Sequence, residues 1–172
     1  MKFTNTLLSG KLIKRYKRFF ADIKVNNQIL TAHCPNSGSM MGLIKKDNKV
    51  WISKSNNPNR KLKYTLEIIK IEDSLVGINT HLANKIVLEA INNNKIKELS
   101  NCEKIKPEAV YEKKTRFDFL IKKNNKNIYL EVKNVTLSIK KNIAEFPDAI
   151  TSRGVKHLIK LIEAKQKGYE SY

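Results

Sequence analysis

Asp118, Glu131 and Lys133 are the residues of this chain whose types and spacing could do chemistry together. They lie in two apolar stretches, Phe117–Ile121 and Ile128–Val132, which read as short strands joined by the polar loop Lys122–Asn127. Side chains alternate along a strand, so Glu131 and Lys133 share one face while Leu130 and Val132 share the other. Antiparallel pairing around that loop sets Ile121 opposite Ile128 and Asp118 opposite Glu131. Opposed residues lie about 4.5–5.5 Å apart, and like charges at that spacing repel. A hard divalent ion with oxygen ligands, Mg²⁺ or Mn²⁺, would relieve the repulsion. Removing one charge, as in Asp118→Asn or Glu131→Gln, is then expected to raise metal-free stability. Lys133 is placed to hold an attacking water or to stabilise charge on a phosphate. The plain alternative is a solvated hairpin face with scattered charges.

These strands need elements around them. From Thr80 the apolar residues Leu82, Ala83, Ile86, Val87, Ala90 and Ile91 recur at helical spacing, with Thr80 as the expected N-cap. Glu89 lies at the edge of that stripe, from which a carboxylate either reaches a neighbouring site or stays solvated. Ala109–Tyr111 begins a strand ahead of the two that carry the acids. A turn at Glu145-Phe146-Pro147-Asp148 leads into a helix from about Thr151. Its spacing puts Val155, Leu158, Ile159 and Ile162 on one face and Arg153, Lys156 and Lys160 on another. Arg153 and Lys156 are candidate phosphate contacts.

The first eighty residues read as β. Strands are expected at Leu12–Val25, Gln28–His33, Lys49–Ser53, Lys63–Ile71 and Leu75–Asn79, with tight turns at Asn26-Asn27 and Glu72-Asp73-Ser74. Five short strands fit a small closed barrel of the OB type. Lys14, Arg15, Lys17 and Arg18 interleave with Tyr16, Phe19 and Phe20, the combination by which such barrels pair a positive groove with stacking platforms. Core packing of the aromatics and a charged strand edge are the bland readings of the same residues.

Charge points the same way. Thirty-four Lys and Arg against sixteen Asp and Glu give +18, spread as +10 over residues 1–80 and +8 over residues 81–172. A basic body rather than a basic tail favours a polyanionic partner such as a nucleic acid. No apolar run approaches the roughly 20 residues of a membrane span, so no membrane partner is expected. The N-terminus lacks a signal-peptide layout, and Cys34 and Cys102 form no C-x-x-C, so a reducing cytoplasm is the plain expectation. There is no G-x-S-x-G and no phosphate-binding G-x-x-x-x-G-K-[ST]. His33, His81 and His157 have no ligand spacing and default to structural or hydrogen-bonding roles.

Taken together, Tyr16-Lys17-Arg18-Phe19, His33-Cys34-Pro35-Asn36-Ser37-Gly38-Ser39-Met40, Asn79-Thr80…Ala83-Asn84, Arg116…Asp118-Phe119, Glu131-Val132-Lys133 and Phe146-Pro147-Asp148-Ala149…Arg153-Gly154…Lys156-His157-Leu158 resemble the sugar fermentation stimulation protein A family. The resemblance implies an α+β, two-domain chain. An OB-like five-stranded barrel over residues 1–80 would precede an α/β domain of αβββα order over residues 81–172, with the PD-(D/E)XK nuclease fold. It further implies sequence-non-specific DNA binding and a regulatory role in sugar, notably maltose, utilisation. It carries Asp118, Glu131 and Lys133 onto the superfamily's metal and catalytic positions, adds the Val132 carbonyl as a metal ligand, and matches Glu89 to the first-helix acidic position. Family members are longer, and Gly168–Tyr172 looks like the entry to a strand, so the second domain is expected to be incomplete. Two functions follow: a metal-dependent DNA phosphodiesterase, or a DNA-binding regulatory factor that does not cut.

Overall fold

The computed structural model describes residues 1–113, 115–140, 143–146 and 151–172. Part of the Glu145–Asp148 turn, and the residues 147–149 used for the resemblance, lie outside them. The chain divides into two units, Met1–Leu82 with Asn134–Ala149 and Ala83–Lys133 with Ile150–Tyr172. The return of residues 134–149 to the first unit is not anticipated by a single boundary near residue 80.

In the first unit, alternating burial builds a β-barrel. Strands β1 (Leu8–Tyr16), β2 (Phe20–Val25), β3 (Gln28–His33), β4 (Lys49–Lys54), β5 (Tyr64–Ile71) and β6 (Ser74–Gly77) pair in the order β3-β2-β1-β4-β5-β6. Parallel pairing of β3 with β5, Ala32 with Tyr64 and His33 with Thr65, closes the first five strands on themselves. Closure removes the open edges a flat sheet would leave. The inward positions Leu12, Ala21, Ile23, Ala32, Val50, Ile52, Leu66 and Ile69 form the core, sealed by Cys34, Met40, Leu43 and Ile78. The expected five-stranded barrel is present, but the strands are partitioned differently. Leu12–Val25 is a hairpin rather than one strand, and the segment expected at Leu75–Asn79 is β6, which extends the sheet beyond β5. The hairpin turns at Lys17 and Arg18, whose φ of 48° and 63° are left-handed without a glycine or asparagine to signal them. The Asn26-Asn27 turn is where its sequence puts it, with Asn26 at φ 53°.

The second unit is a four-stranded sheet between two helices. Helix α1 (Ala83–Asn92) precedes β7 (Lys104–Glu112), β8 (Thr115–Lys123) and β9 (Lys126–Leu130); helix α2 (Ser152–Gln166) and β10 (Glu170–Ser171) follow. The sheet order is β10-β9-β8-β7, with β10 parallel to β9 and the rest antiparallel. The expected order of helix, three strands and helix is present, and Gly168–Tyr172 does lead into a strand. Val87, Leu88 and Ile91 pack against Phe119, Ile121, Ile128 and Leu130; Leu161 and Ala164 group with Phe117, Leu120 and Tyr129. Three details differ from expectation. Helix α1 begins after a 3₁₀ turn, Thr80–Leu82, and Thr80 donates to the carbonyl of Pro35 (2.8 Å) instead of capping. Ile86 is exposed, the buried stripe running through Val87, Leu88 and Ile91. In α2 the apolar residues Val155, Leu158, Ile159 and Ile162 are all exposed, and the opposite face meets the sheet. The N-cap Thr151 is as expected, its hydroxyl accepting from Gly154 N–H at 3.2 Å. Among the described residues no helix is long and apolar enough to cross a membrane.

Two consequences for the barrel are testable. A Cβ on Gly10 would lie 2.6 Å from the Lys24 carbonyl oxygen, 2.7 Å from Ile23 Cγ2 and 2.9 Å from Val25 Cγ2. Backbone must move to admit it, so Gly10→Ala is expected to destabilise by about 2 kcal/mol in urea titration. His33 titrates below its ordinary value of 6.5, first because burial disfavours the imidazolium and then because Arg60 and His81 lie close. The unfolded chain takes up that proton first, so stability is intact above about pH 6.5 and falls as pH drops through the lowered His33 value. Urea midpoints between pH 8 and 5 should show this slope, and His33→Gln should flatten it.

Candidate active site

Strand β8 meets β9 in the register predicted from sequence, Ile121 with Ile128. The loop is shorter than expected: Lys123 pairs with Lys126, leaving a two-residue turn at Asn124 and Asn125, φ 48° and 60°. Phe119–Leu130 is the last paired position. One step further along both strands are Asp118 and Glu131, where formal pairing has stopped and the side chains hold the two segments together. Val132 N–H donates to Asp118 Oδ2 at 2.6 Å, and Asn84, at the start of α1, donates to Asp118 Oδ1 at 2.8 Å.

Glu131 is nearly buried, its side chain 7% exposed. Its Oε1 accepts from Lys133 Nζ and from Nδ1 of His157, which α2 brings to the sheet. A carboxylate only accepts, so His157 Nδ1 carries the proton in this contact. Glu131 N–H donates to the Tyr172 carbonyl at 3.0 Å, fixing the backbone beneath the side chain. The conflict foreseen between the two acids is thus met by four donors belonging to the chain.

Both carboxylates line one recess of about 370 Å³, with Arg116, Arg153 and His157 on its wall. Arg116, Arg153, Lys156 and His157 also border an adjoining depression. Arg153 and Lys156 are exposed, and Arg116 meets Glu108 at 3.3 Å on the surface. Glu112, on the same wall, sits between Lys160 and Lys167, each at 3.0 Å. Hydrogen bonds from Lys160 and Lys167 hold its carboxyl below the usual range. Lys160 is raised in turn by bonds to Glu163 and Glu112. The arrangement offers two adjacent oxygen-donor acids with the exposed cations Arg153 and Lys156 a short way off, suited to a phosphate beside a hard cation.

Of the residues expected at the site, Asp118, Glu131, Val132 and Lys133 come together. Lys133 is engaged by Glu131 and is only partly exposed. Glu89 does not join them: it is exposed on α1, about 140° around the axis from Asn84, and does not line the recess. On the barrel, Lys17 and Arg18 are exposed, whereas Lys14 pairs with Asp22 at 3.9 Å and lies over the Tyr16 ring. Arg15 is committed internally, donating to the carbonyls of Arg18 (3.1 Å), Asn36 (2.9 Å) and Gly38 (2.9 Å). Sequence reasoning did not single out Asn84 and His157 as partners of the two acids. Both stand inside motifs that carried the family resemblance, which was the available signal.

Residues 13–78 match the family model "SfsA N-terminal OB domain", and residues 81–172 match "Sugar fermentation stimulation protein RE domain". The sugar fermentation stimulation protein homolog of Pelagibacter ubique is 59% identical over all of this chain and 74% of its own length. That of Bartonella quintana is 48% identical over 98% of this chain and 73% of its own. A solved structure, Pyrococcus furiosus SfsA in complex with Ca²⁺, matches with a TM-score of 0.87 over 99% of this chain and 72% of that chain, at 23% identity. That likeness speaks for the fold.

The donor set reverses the expected effect of removing a charge. Glu131→Gln deprives Lys133 and His157 of their anion and is expected to lower metal-free stability by about 2 kcal/mol. Thermal melting in EDTA checks this; a variant more stable than the parent would return the unrelieved acid pair.

Proposed function

This chain belongs to the sugar fermentation stimulation protein family, and from that premise we propose that it binds DNA without sequence preference and carries a divalent-metal-dependent phosphodiesterase site. The observation that carries the reading is the adjacency of Asp118 and Glu131 in a recess walled by Arg116, Arg153 and His157. Two adjacent carboxylates are oxygen donors of the kind a hard ion such as Mg²⁺ or Mn²⁺ takes. Asp118 and Glu131 would hold it, with the Val132 carbonyl beside them; the Ca²⁺ in the solved complex of Pyrococcus furiosus SfsA is of the same hard class. When bound, such an ion polarises a phosphoryl oxygen and acidifies a water.

The chain's own residues do the rest. Asn84 and the Val132 N–H fix the Asp118 carboxylate, so its orientation costs no reorganisation at the moment of reaction. His157 fixes Glu131 from the α2 side. Arg116, Arg153 and Lys156 are available to phosphates of the backbone, and Lys133 stabilises negative charge that develops beside Glu131. Glu89 has no part in this scheme.

One observation favours the second reading, a DNA-binding regulatory factor that grips without cutting. Glu131 already accepts from Lys133 and His157 on Oε1, so an ion would have to share that carboxylate with two donors that already neutralise it.

Duplex DNA incubated with the protein and Mg²⁺ or Mn²⁺ separates the two. Cleavage that Glu131→Gln and Lys133→Ala each reduce at least a hundredfold supports the phosphodiesterase. Under the same reading, metal at 100 times its dissociation constant adds about 2.7 kcal/mol of stability, which Glu131→Gln removes. Retained binding without cleavage or metal stabilisation leaves the regulatory reading. Either way, affinity should fall steeply between about 50 and 200 mM salt and differ little among sequences; no binding at low salt overturns both.

A further inference from the structure

The barrel carries a side-chain cluster that the proposed reaction does not use. The β1–β2 turn, the end of β3, the loop before β5 and the 3₁₀ turn after β6 bring four residues together. The Phe19 ring lies 6.5 Å from that of His33, centroid to centroid, with the planes only 15° apart. His33 is 6.4 Å from the exposed His81 ring, and Arg60 Nη2 stands 3.4 Å from His33 Nδ1. Phe19 is 46% exposed, and the barrel core closes without it.

An exposed phenylalanine at the tip of a turn is seldom there for stability. This turn is also strained: Lys17 and Arg18 both hold positive φ, which neither residue type favours. It is kept in place from outside, by Arg15 Nε donating to the Arg18 carbonyl and Cys34 N–H donating to the Phe19 carbonyl at 2.8 Å. The result is presentation. Phe19 is held outward beside His33, directly after exposed Lys17 and Arg18, and among the described residues none of Lys17, Arg18 and Arg60 pairs with a carboxylate within 4 Å. Burial, Arg60 and His81 keep the His33 imidazole uncharged at neutral pH; Arg60 faces its Nδ1, so the ring offers a face and an Nε2–H donor. Flat ring faces beside free cations match the alternation of planar base and anionic phosphate. In a duplex the base faces are hidden in the stack, so such a surface has a use only for bases that are unpaired.

We propose that Phe19, His33 and His81 form a stacking platform for the unpaired bases of a single-stranded nucleic acid, with Lys17, Arg18 and Arg60 on the flanking phosphates. This rests on reading the protein as nucleic-acid-binding and adds the form of the partner taken by the barrel.

Fluorescence anisotropy with a labelled twelve-nucleotide oligo-dT, and with a duplex of equal length, tests it on the full chain in EDTA at pH 7.5. Phe19→Ala with His81→Ala should weaken single-strand binding by about tenfold per ring removed, leave duplex affinity within twofold, and leave melting within a few degrees. Phe19→Trp should restore single-strand binding. The proposal is overturned if the double variant binds oligo-dT as the parent does, or if it loses both forms equally. A parent that binds neither form would instead overturn the nucleic-acid reading itself, which the phosphodiesterase variants address separately.

Discussion

The antiparallel register of β8 and β9 is the constraint on which the candidate site depends. Asn124 and Asn125 take up the positive φ that a two-residue hairpin turn requires, and asparagine tolerates it better than most residues. That turn admits Ile121 opposite Ile128 and carries the pairing on to Phe119 and Leu130. A slip of one residue would send every side chain of one strand to the other face. Asp118 and Glu131 would then part, and Phe119 and Ile121 would leave the cluster they share with α1.

Placing two acids side by side is costly unless each is paired. The donors come from separate places: Asn84 opens α1, Val132 and Lys133 follow β9, and His157 lies on α2. Asn84 is 34 residues from Asp118 and His157 is 26 from Glu131, so neither contact exists before the helices dock. The acid pair is therefore a product of the finished unit rather than of the hairpin that carries it. Glu112 repeats the logic nearer the surface, with Lys160 and Lys167 from α2 and the segment just after it as counterions. Both links pull the same face of α2 onto the sheet.

In the barrel, Arg15 has a comparable organising part. Its guanidinium ties the β1–β2 turn to the His33–Met40 loop through carbonyls of Arg18, Asn36 and Gly38. Asn36 also folds the loop on itself, its Oδ1 accepting from Gly38 N–H at 2.9 Å, while Cys34 and Met40 fill the core beneath. The most distinctive stretch of the sequence is thus explained first as architecture. Its residues hold a strained turn in one conformation, and that turn sets where Phe19 points.

The sequence by itself determined what is local. Period-two alternation marked the strands, 3.6-residue spacing marked two helices, and Asn26-Asn27 marked a tight turn. Antiparallel pairing of the two apolar stretches around the Lys122–Asn127 segment led to the β8–β9 register and the adjacency of Asp118 and Glu131, although the turn itself is tighter than the loop read there. The barrel's strand number was legible, yet only because Leu12–Val25 was read as one strand and β6 as a member of the closed ring. A turn through Lys17 and Arg18 leaves no local trace, since what stabilises it is Arg15 reaching across to another loop. Tertiary structure alone decided the facing of α2. Its apolar residues Val155, Leu158, Ile159 and Ile162 predict one orientation, and the structure adopts the other. His157 and Lys160 find buried or clustered carboxylates on the sheet side, Leu161 meets the aromatic cluster there, and Ala164 is buried beside it. Which face of a helix turns inward depends on what its partner surface presents, and that surface is assembled from residues distant in the chain.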